Sequence, residues 1–161
     1  MAIVVEDGTG LNPAANSYVS EAELTTYATD RGITLVCSAD HLLLLSMDTI
    51  ETRSYQGSKT STTQPRQWPR TGVVANGRPI ASDEIPQDLK TAQIITSLSI
   101  DSGVNPMGTT EPAVKRKKVD VIEIEYQDGA SSKSYDPKIN AYLGPLLAFQ
   151  GGFSNFAVTR L

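Results

Sequence analysis

From Gln56 to Ile85 the chain reads QGSKTSTTQPRQWPRTGVVANGRPIASDEI, with neither the helical nor the strand apolar repeat. Loops this long are uncommon inside a compact domain and mark either function or disorder. GSKTSTT taken alone reads as disorder. The rest does not, because it carries the chain's one tryptophan, Trp68, between Pro65 and Pro69 and between Arg66 and Arg70. VVANGRPI reads as a tight hairpin around Asn76-Gly77, whose central positions need positive φ.

Helical punctuation frames this segment. Ser20 and Glu23 form a capping box, and Val19 and Leu24 have the spacing of a hydrophobic staple. Leu24, Tyr27 and Ala28 make one stripe, and Gly32 is placed to end a helix predicted over 21–31. A second helix is predicted over 39–54, with Ser38 as N-cap and Asp40 at the positive end of the dipole. Leu43, Met47 and Ile50 lie on one face, and Leu42 and Leu45 widen it. So broad an apolar girth asks for neighbours on more than one side, another subunit among them. A third helix is predicted over 86–101, with Pro86 in its first position, Leu89, Ala92, Ile95 and Leu98 facing a core, and Gly103 closing it. The last helix starts at Asp136 as N-cap, presents Ile139, Tyr142, Leu143, Leu146 and Leu147, and is kinked or ended by Pro145.

Strand signals are fewer. AIVV is a short β-like run near the N-terminus. KRKKVDVIEIEYQDG reads as a strand or hairpin whose alternation slips near 121–122. The expected fold is mainly α: a small bundle of about four helices with a β-strand or hairpin excursion, long loops and an extended C-terminal tail. Residues 1–149 form the domain, with the long loop at 56–85 and the strand or hairpin region at 115–128. Residues 150–161 form the tail. Beyond Gly151-Gly152, Phe153 and Phe156 lie without charged cover, which makes the tail a docking segment.

Chemistry is scarce. One histidine, His41, and one cysteine, Cys37, cannot assemble the usual zinc sites, and a catalytic triad would have to recruit His41 at the start of an apolar helix. Cys37 reads as a buried structural thiol. EDGTG lacks the lysine of a P-loop and the spacing of a dinucleotide fold. No catalytic residue, metal site or cofactor is expected, and the chain reads as no enzyme. The N-terminus shows no signal peptide, and the longest apolar run, Leu42 to Leu45, is far too short for a bilayer. A net charge of −4 argues against a nucleic-acid binder basic over its whole surface but leaves room for a local patch. The one basic run is Lys115, Arg116, Lys117 and Lys118. It reads either as a weak contact for phosphates or an acidic partner, or as a solvated run guarding a strand edge. Arg66, Trp68, Pro69 and Arg70 form a rigid, aromatic, cationic group. It suits an inter-subunit or partner anchor, and equally a loop that packs back on its own domain.

AIVVEDGTGL with ANSYVS, then QWPRTGV and NGRPIASDEIPQDLKTA, then a closing kinked helix with a Gly-rich tail together resemble the head-to-tail connectors of tailed bacteriophages. These are also called adaptor or head-completion proteins, and such chains are also described as DnaT-like single-stranded-DNA-binding proteins. WPRTGV spans Trp68 to Val73, and the IP of the pattern is Ile85-Pro86. The leucine-rich second helix and GSKTSTTQP depart from the pattern. The resemblance implies a structural virion protein of the neck, assembled in the host cytoplasm. Its copies form a ring, dodecameric, beneath the portal and join it to the tail around a channel for the genome. The implied partners are the portal protein, neighbouring copies of the chain, and a tail-side neck or tail-terminator protein. Genomic DNA would pass without specific binding, and no membrane is involved. Portal docking would fall, by position, on Phe153, Phe156, Val158, Arg160 and Leu161. The alternative is a true single-stranded-DNA binder. That needs aromatic platforms beside a positive groove, whereas the basic run lies in a segment without aromatics.

Overall fold

The computed structural model describes residues 2–104, 114–118, 123–126 and 137–148. The fold is mainly α, as expected. Helix α1 (Glu21–Thr29) starts with the predicted capping box: Ser20 Oγ accepts from the Glu23 N–H, and the Glu23 carboxylate accepts from the Ser20 N–H at 2.7 Å. Its end comes two residues early. Gly32, at φ +66°, then lets the Ile33 N–H reach back to the Ala28 carbonyl.

Helix α2 (Ala39–Glu51) begins after Ser38, whose side chain makes no capping bond to the backbone. Asp40 supports the first turn instead. Hydrogen bonds from Ser38 and from the His41 backbone hold its carboxyl at about 2. Helix α3 (Gln87–Asp101) takes Pro86 as its N-cap. Helix α4 (Pro137–Leu143) runs into a single 3-10 turn (Gly144–Leu146), where Pro145 ends the α-helical ladder as anticipated. Asp136 lies outside the described residues.

Helix α3 is central: α2 and α4 pack on it, and α1 reaches both α2 and α3. The broad apolar girth of α2 is consumed within the chain. Met47 and Ile50 join one cluster with Leu89, Ile139 and Leu143, while Leu42 and Leu43 join a second with Val19, Leu24 and Ile94. Of its large apolar side chains only Leu45 is exposed. Among the described residues, no helix is long and apolar enough to cross a membrane.

The long loop is built, not disordered. Strand β1 (Ser58–Lys59) pairs antiparallel with β2 (Arg70–Thr71), and β3 (Val74–Ala75) with β4 (Arg78–Pro79). The second hairpin turns on Asn76 and Gly77, at φ 51° and 76°, as the sequence anticipated. The first closes so tightly that a Cβ on Gly57 would sit 2.1 Å from the Thr71 carbonyl oxygen. Two expectations are corrected. AIVV forms no strand: Val5 makes an isolated bridge to Ser17, and Asn16 takes the Val4 N–H on its side chain. Cys37 is exposed, because Asp101 draws the Val36 and Cys37 amides onto its carboxylate at the surface.

In the C-terminal half, β5 (Val114–Lys118) and β6 (Glu123–Tyr126) form an antiparallel hairpin. Its register shift falls between Val114 and Arg116; positions 121–122, where a slip was expected, lie outside the described residues.

Trp68 sits wholly buried in the larger cluster, its ring edge-on to Tyr55 at 5.7 Å and 78°. Replacing so large a core side chain leaves a cavity, so Trp68→Ala is expected to cost about 3–5 kcal/mol in urea denaturation. A variant that kept wild-type stability would place the indole outside the core.

Candidate functional site

The group expected as a partner anchor folds inward. Trp68, Pro69 and Arg70 are buried by their own chain, and Arg66 is half-buried. Arg70 spends its guanidinium on backbone: Nε donates to the Gln56 carbonyl at 2.7 Å and Nη2 to that of Gly57 at 2.9 Å. Arg66 Nε donates to the Ala15 carbonyl at 2.6 Å. Gln64 ties the loop from within, accepting from Thr60 and donating to the Arg66 and Pro69 carbonyls. With Trp68 offering no surface to a partner, the self-packing alternative is what this geometry contains.

Beneath the loop lies a buried polar network that the sequence did not reveal. The Tyr18 hydroxyl donates to Glu51 Oε1 and accepts the Trp68 N–H at 3.1 Å. The Glu51 carboxylate also accepts the Gln67 N–H at 3.0 Å. Tyr18 in turn gives its own N–H to Gln93 Oε1, and Gln93 Nε2 donates to Ser17 and to the Leu43 carbonyl. ANSYVS and QWPRTGV, which carry much of the family pattern, therefore meet around one carboxylate at the end of α2. Burial raises the Glu51 pKa above 4.5, against the donors from Tyr18 and Gln67 that pull it down. It raises the Tyr18 hydroxyl further still.

The expected phosphate contacts, Lys115, Arg116, Lys117 and Lys118, fall on β5, where Arg116 lies opposite Glu125 and Lys118 opposite Glu123. Phe153, Phe156, Val158, Arg160 and Leu161 lie outside the described residues.

A different constellation opens at the surface between α1, α3 and α4. It is a groove of about 650 Å³ whose walls carry Tyr27 and Arg31 from one side and Lys138 and Tyr142 from the other. Ile33, Ile95 and Leu98 give it apolar surface, and Ser99 and Ser102 add hydroxyls. The Arg31 guanidinium lies 3.4 Å from the Tyr27 ring centroid, and its Nη1 donates to the Tyr27 carbonyl at 3.2 Å. That stack fixes the guanidinium plane and leaves its outer face for a second planar group. Tyr142 is 37% exposed. Two aromatic rings, a guanidinium plane and an ammonium around an apolar floor are what stacking bases and a phosphate backbone ask for. The sequence reading missed this site by assigning both tyrosines to core stripes. The available signal was a tyrosine and a cation four residues apart, Tyr27 in α1 with Arg31 just past its end, and Lys138 with Tyr142 in α4. Among the described residues no cluster of metal-binding side chains occurs.

The buried network has a measurable signature. Tyr18→Phe strips a donor from a carboxylate and leaves the Trp68 N–H unmet, an expected loss of about 2–4 kcal/mol in denaturant unfolding. Because the Glu51 pKa is raised on folding, the folded chain holds more protons than the unfolded one just above pH 4.5. Stability contributed by this group is thus greatest below that window and falls as pH rises through it. Glu51→Gln is expected to remove that component from the pH–stability profile; an unchanged profile would show that the carboxylate does not titrate there.

No curated protein and no solved structure matches the chain. A family model described as "Putative DnaT-like ssDNA binding protein" matches residues 1–161. By that match over its whole length, the chain belongs to the DnaT-like family so described.

Proposed function

We propose that the protein binds single-stranded DNA without sequence preference, stacking bases against Tyr27, Arg31 and Tyr142 and holding phosphates with Arg31 and Lys138. One observation carries the proposal: the α1–α3–α4 groove joins two tyrosines to two cations on an apolar floor. The family description points the same way. Every base has a π-face, so stacking of this kind tolerates sequence. With two cations in the groove and a chain of net charge −4, binding is weak and depends less on salt than in a polybasic protein.

A second reading, the head-to-tail connector, is favoured by the apolar surface beside the groove. Ile33 is 41% exposed, Val36 85% and Val104 54%. All three gather at the C-terminal end of α3: Ile33 lines the groove with Ser102, Val36 donates its N–H to Asp101, and Val104 donates to the Ser99 carbonyl. Protein partners, rather than nucleic acid, use clustered aliphatic surface. In this reading copies of the chain form a ring beneath a portal in the virion neck, a tail-side protein docks below, and Phe153 and Phe156 of the C-terminal tail reach the portal.

One titration separates the two. Anisotropy of a labelled oligothymidylate is expected to report binding whose log affinity falls with log salt at a slope of about −1.4, for two phosphates neutralised on a single strand. Tyr142→Ala is expected to weaken it by about 1–3 kcal/mol, one lost stacking platform. Binding unaffected by Tyr142→Ala, or no binding at all, overturns the single-strand reading. Co-sedimentation with portal protein that is lost on Val36→Asp would then favour the connector.

A further inference from the structure

The strap that joins α1 to α2, residues 32–38, walls one side of the groove and is mostly bare. Arg31 just before it and Ile33 within it line the groove. Of residues 31–38 all but Leu35 are exposed. The near end of the strap is tied to α1, where the Ile33 N–H donates to the Ala28 carbonyl. Its far end is held by Leu35, packed on the smaller core cluster, and by a carboxylate from another helix. Asp101, the last residue of α3, accepts the Cys37 N–H on Oδ1 at 2.8 Å. It also accepts the Val36 N–H on Oδ1 at 3.1 Å and on Oδ2 at 3.0 Å.

A carboxylate in this place is at odds with its own helix. Peptide dipoles leave negative charge at a helix C-terminus, where a cation is favoured, and the last turn of α3 holds no basic residue. Charge–charge repulsion also sets an anion beside a groove for phosphates at a disadvantage. Both costs are offset by the two strap amides. The Val36 amide, with that of Cys37, holds the Asp101 carboxyl below the usual carboxylate range. Leu98, Ser99 and Ser102 of the same helical end line the groove, so the clasp ties its wall to its floor. From this geometry we infer that Asp101 is a positioning residue for the groove. By clasping the Val36 and Cys37 amides to the end of α3, it holds the strap and its Ile33 wall beside the Arg31–Tyr27 stack, in the arrangement that receives a single strand. This role rests on the single-strand reading of the groove. Asp101 itself touches neither base nor phosphate. It acts by keeping the strap out of positions in which the groove is unformed, since time spent there lowers apparent affinity in proportion.

The test compares two substitutions that remove the same charge from the full chain. Asp101→Ala takes away the acceptor. Asp101→Asn keeps a carbonyl oxygen in the place of Oδ1, which accepts from both amides. If only the charge mattered, both variants would bind oligothymidylate more tightly than the wild type. The clasp instead predicts that Asp101→Ala weakens binding by about threefold to tenfold, as the competent arrangement becomes less populated. Asp101→Asn is expected to bind at least as tightly as the wild type. Amide hydrogen exchange of the DNA-free chain supplies a readout that needs no ligand. The Val36 and Cys37 amides are expected to be protected in the wild type and in Asp101→Asn and to exchange freely in Asp101→Ala, with the amides inside α2 and α3 unchanged. A wild type that binds through Tyr142 while Asp101→Ala binds as well or better, or Asp101→Asn binds as weakly as Asp101→Ala, overturns the positioning role and leaves the groove reading standing. Unprotected Val36 and Cys37 amides in the wild type overturn the clasp itself. A wild type with both amides protected that binds no oligothymidylate overturns the groove reading, and the role with it.

Discussion

The carboxylate of Glu51 joins three parts of the chain that lie far apart in sequence. Tyr18 reaches it from the N-terminal segment, Gln67 from the long loop, and Glu51 itself closes α2. A half-buried carboxylate is costly unless donors meet its lone pairs, and those donors come from segments far apart in sequence. The long loop therefore follows the position of a charge as well as the hydrophobic effect. Once Gln67 is fixed, Trp68 has only the core to enter, and Arg70 and Gln64 take up the carbonyls that the turn leaves over.

This gives a physical sense to the resemblance. AIVVEDGTGL–ANSYVS and QWPRTGV meet across the structure. A Cβ on Gly10 would crowd Gln64 and Pro69 at 3.0 to 3.1 Å, Ala15 accepts from Arg66, and Tyr18 accepts from Trp68. Their residue types are required by one another. A pattern of this kind identifies a fold with high specificity and is silent on what the fold binds. The groove's tyrosines and cations, Tyr27, Arg31, Lys138 and Tyr142, lie outside those motifs.

What the sequence showed plainly was whatever depends on a few adjacent residues. Ser20 with Glu23, Asn76-Gly77, Gly32 and Pro145 each act within one turn of chain, and each does in the structure what its local chemistry demands. What it did not show depends on distance. Trp68 looked equally fit for a partner or for its own core, because nothing in QPRQWPRTGV reveals Tyr18 and Glu51 waiting elsewhere. Cys37 was expected inside on the usual habit of thiols, and Asp101 holds its backbone at the surface instead. AIVV had the composition of a strand but met Asn16 and Ser17 rather than a second run of strand. Tyr27 and Tyr142 fit core stripes by spacing alone, and only the packing of α1 and α4 on α3 brings them to a common groove.

The burial of Trp68 also determines what light can report about this molecule. Its indole is the chain's only one, lies edge-on to Tyr55, and does not line the groove. Intrinsic emission excited in the tryptophan band therefore follows the integrity of the core and little else. A strand of DNA could fill the groove, quench Tyr142 and leave that signal untouched, so the spectroscopic silence of a mixture would say nothing about whether its components had met.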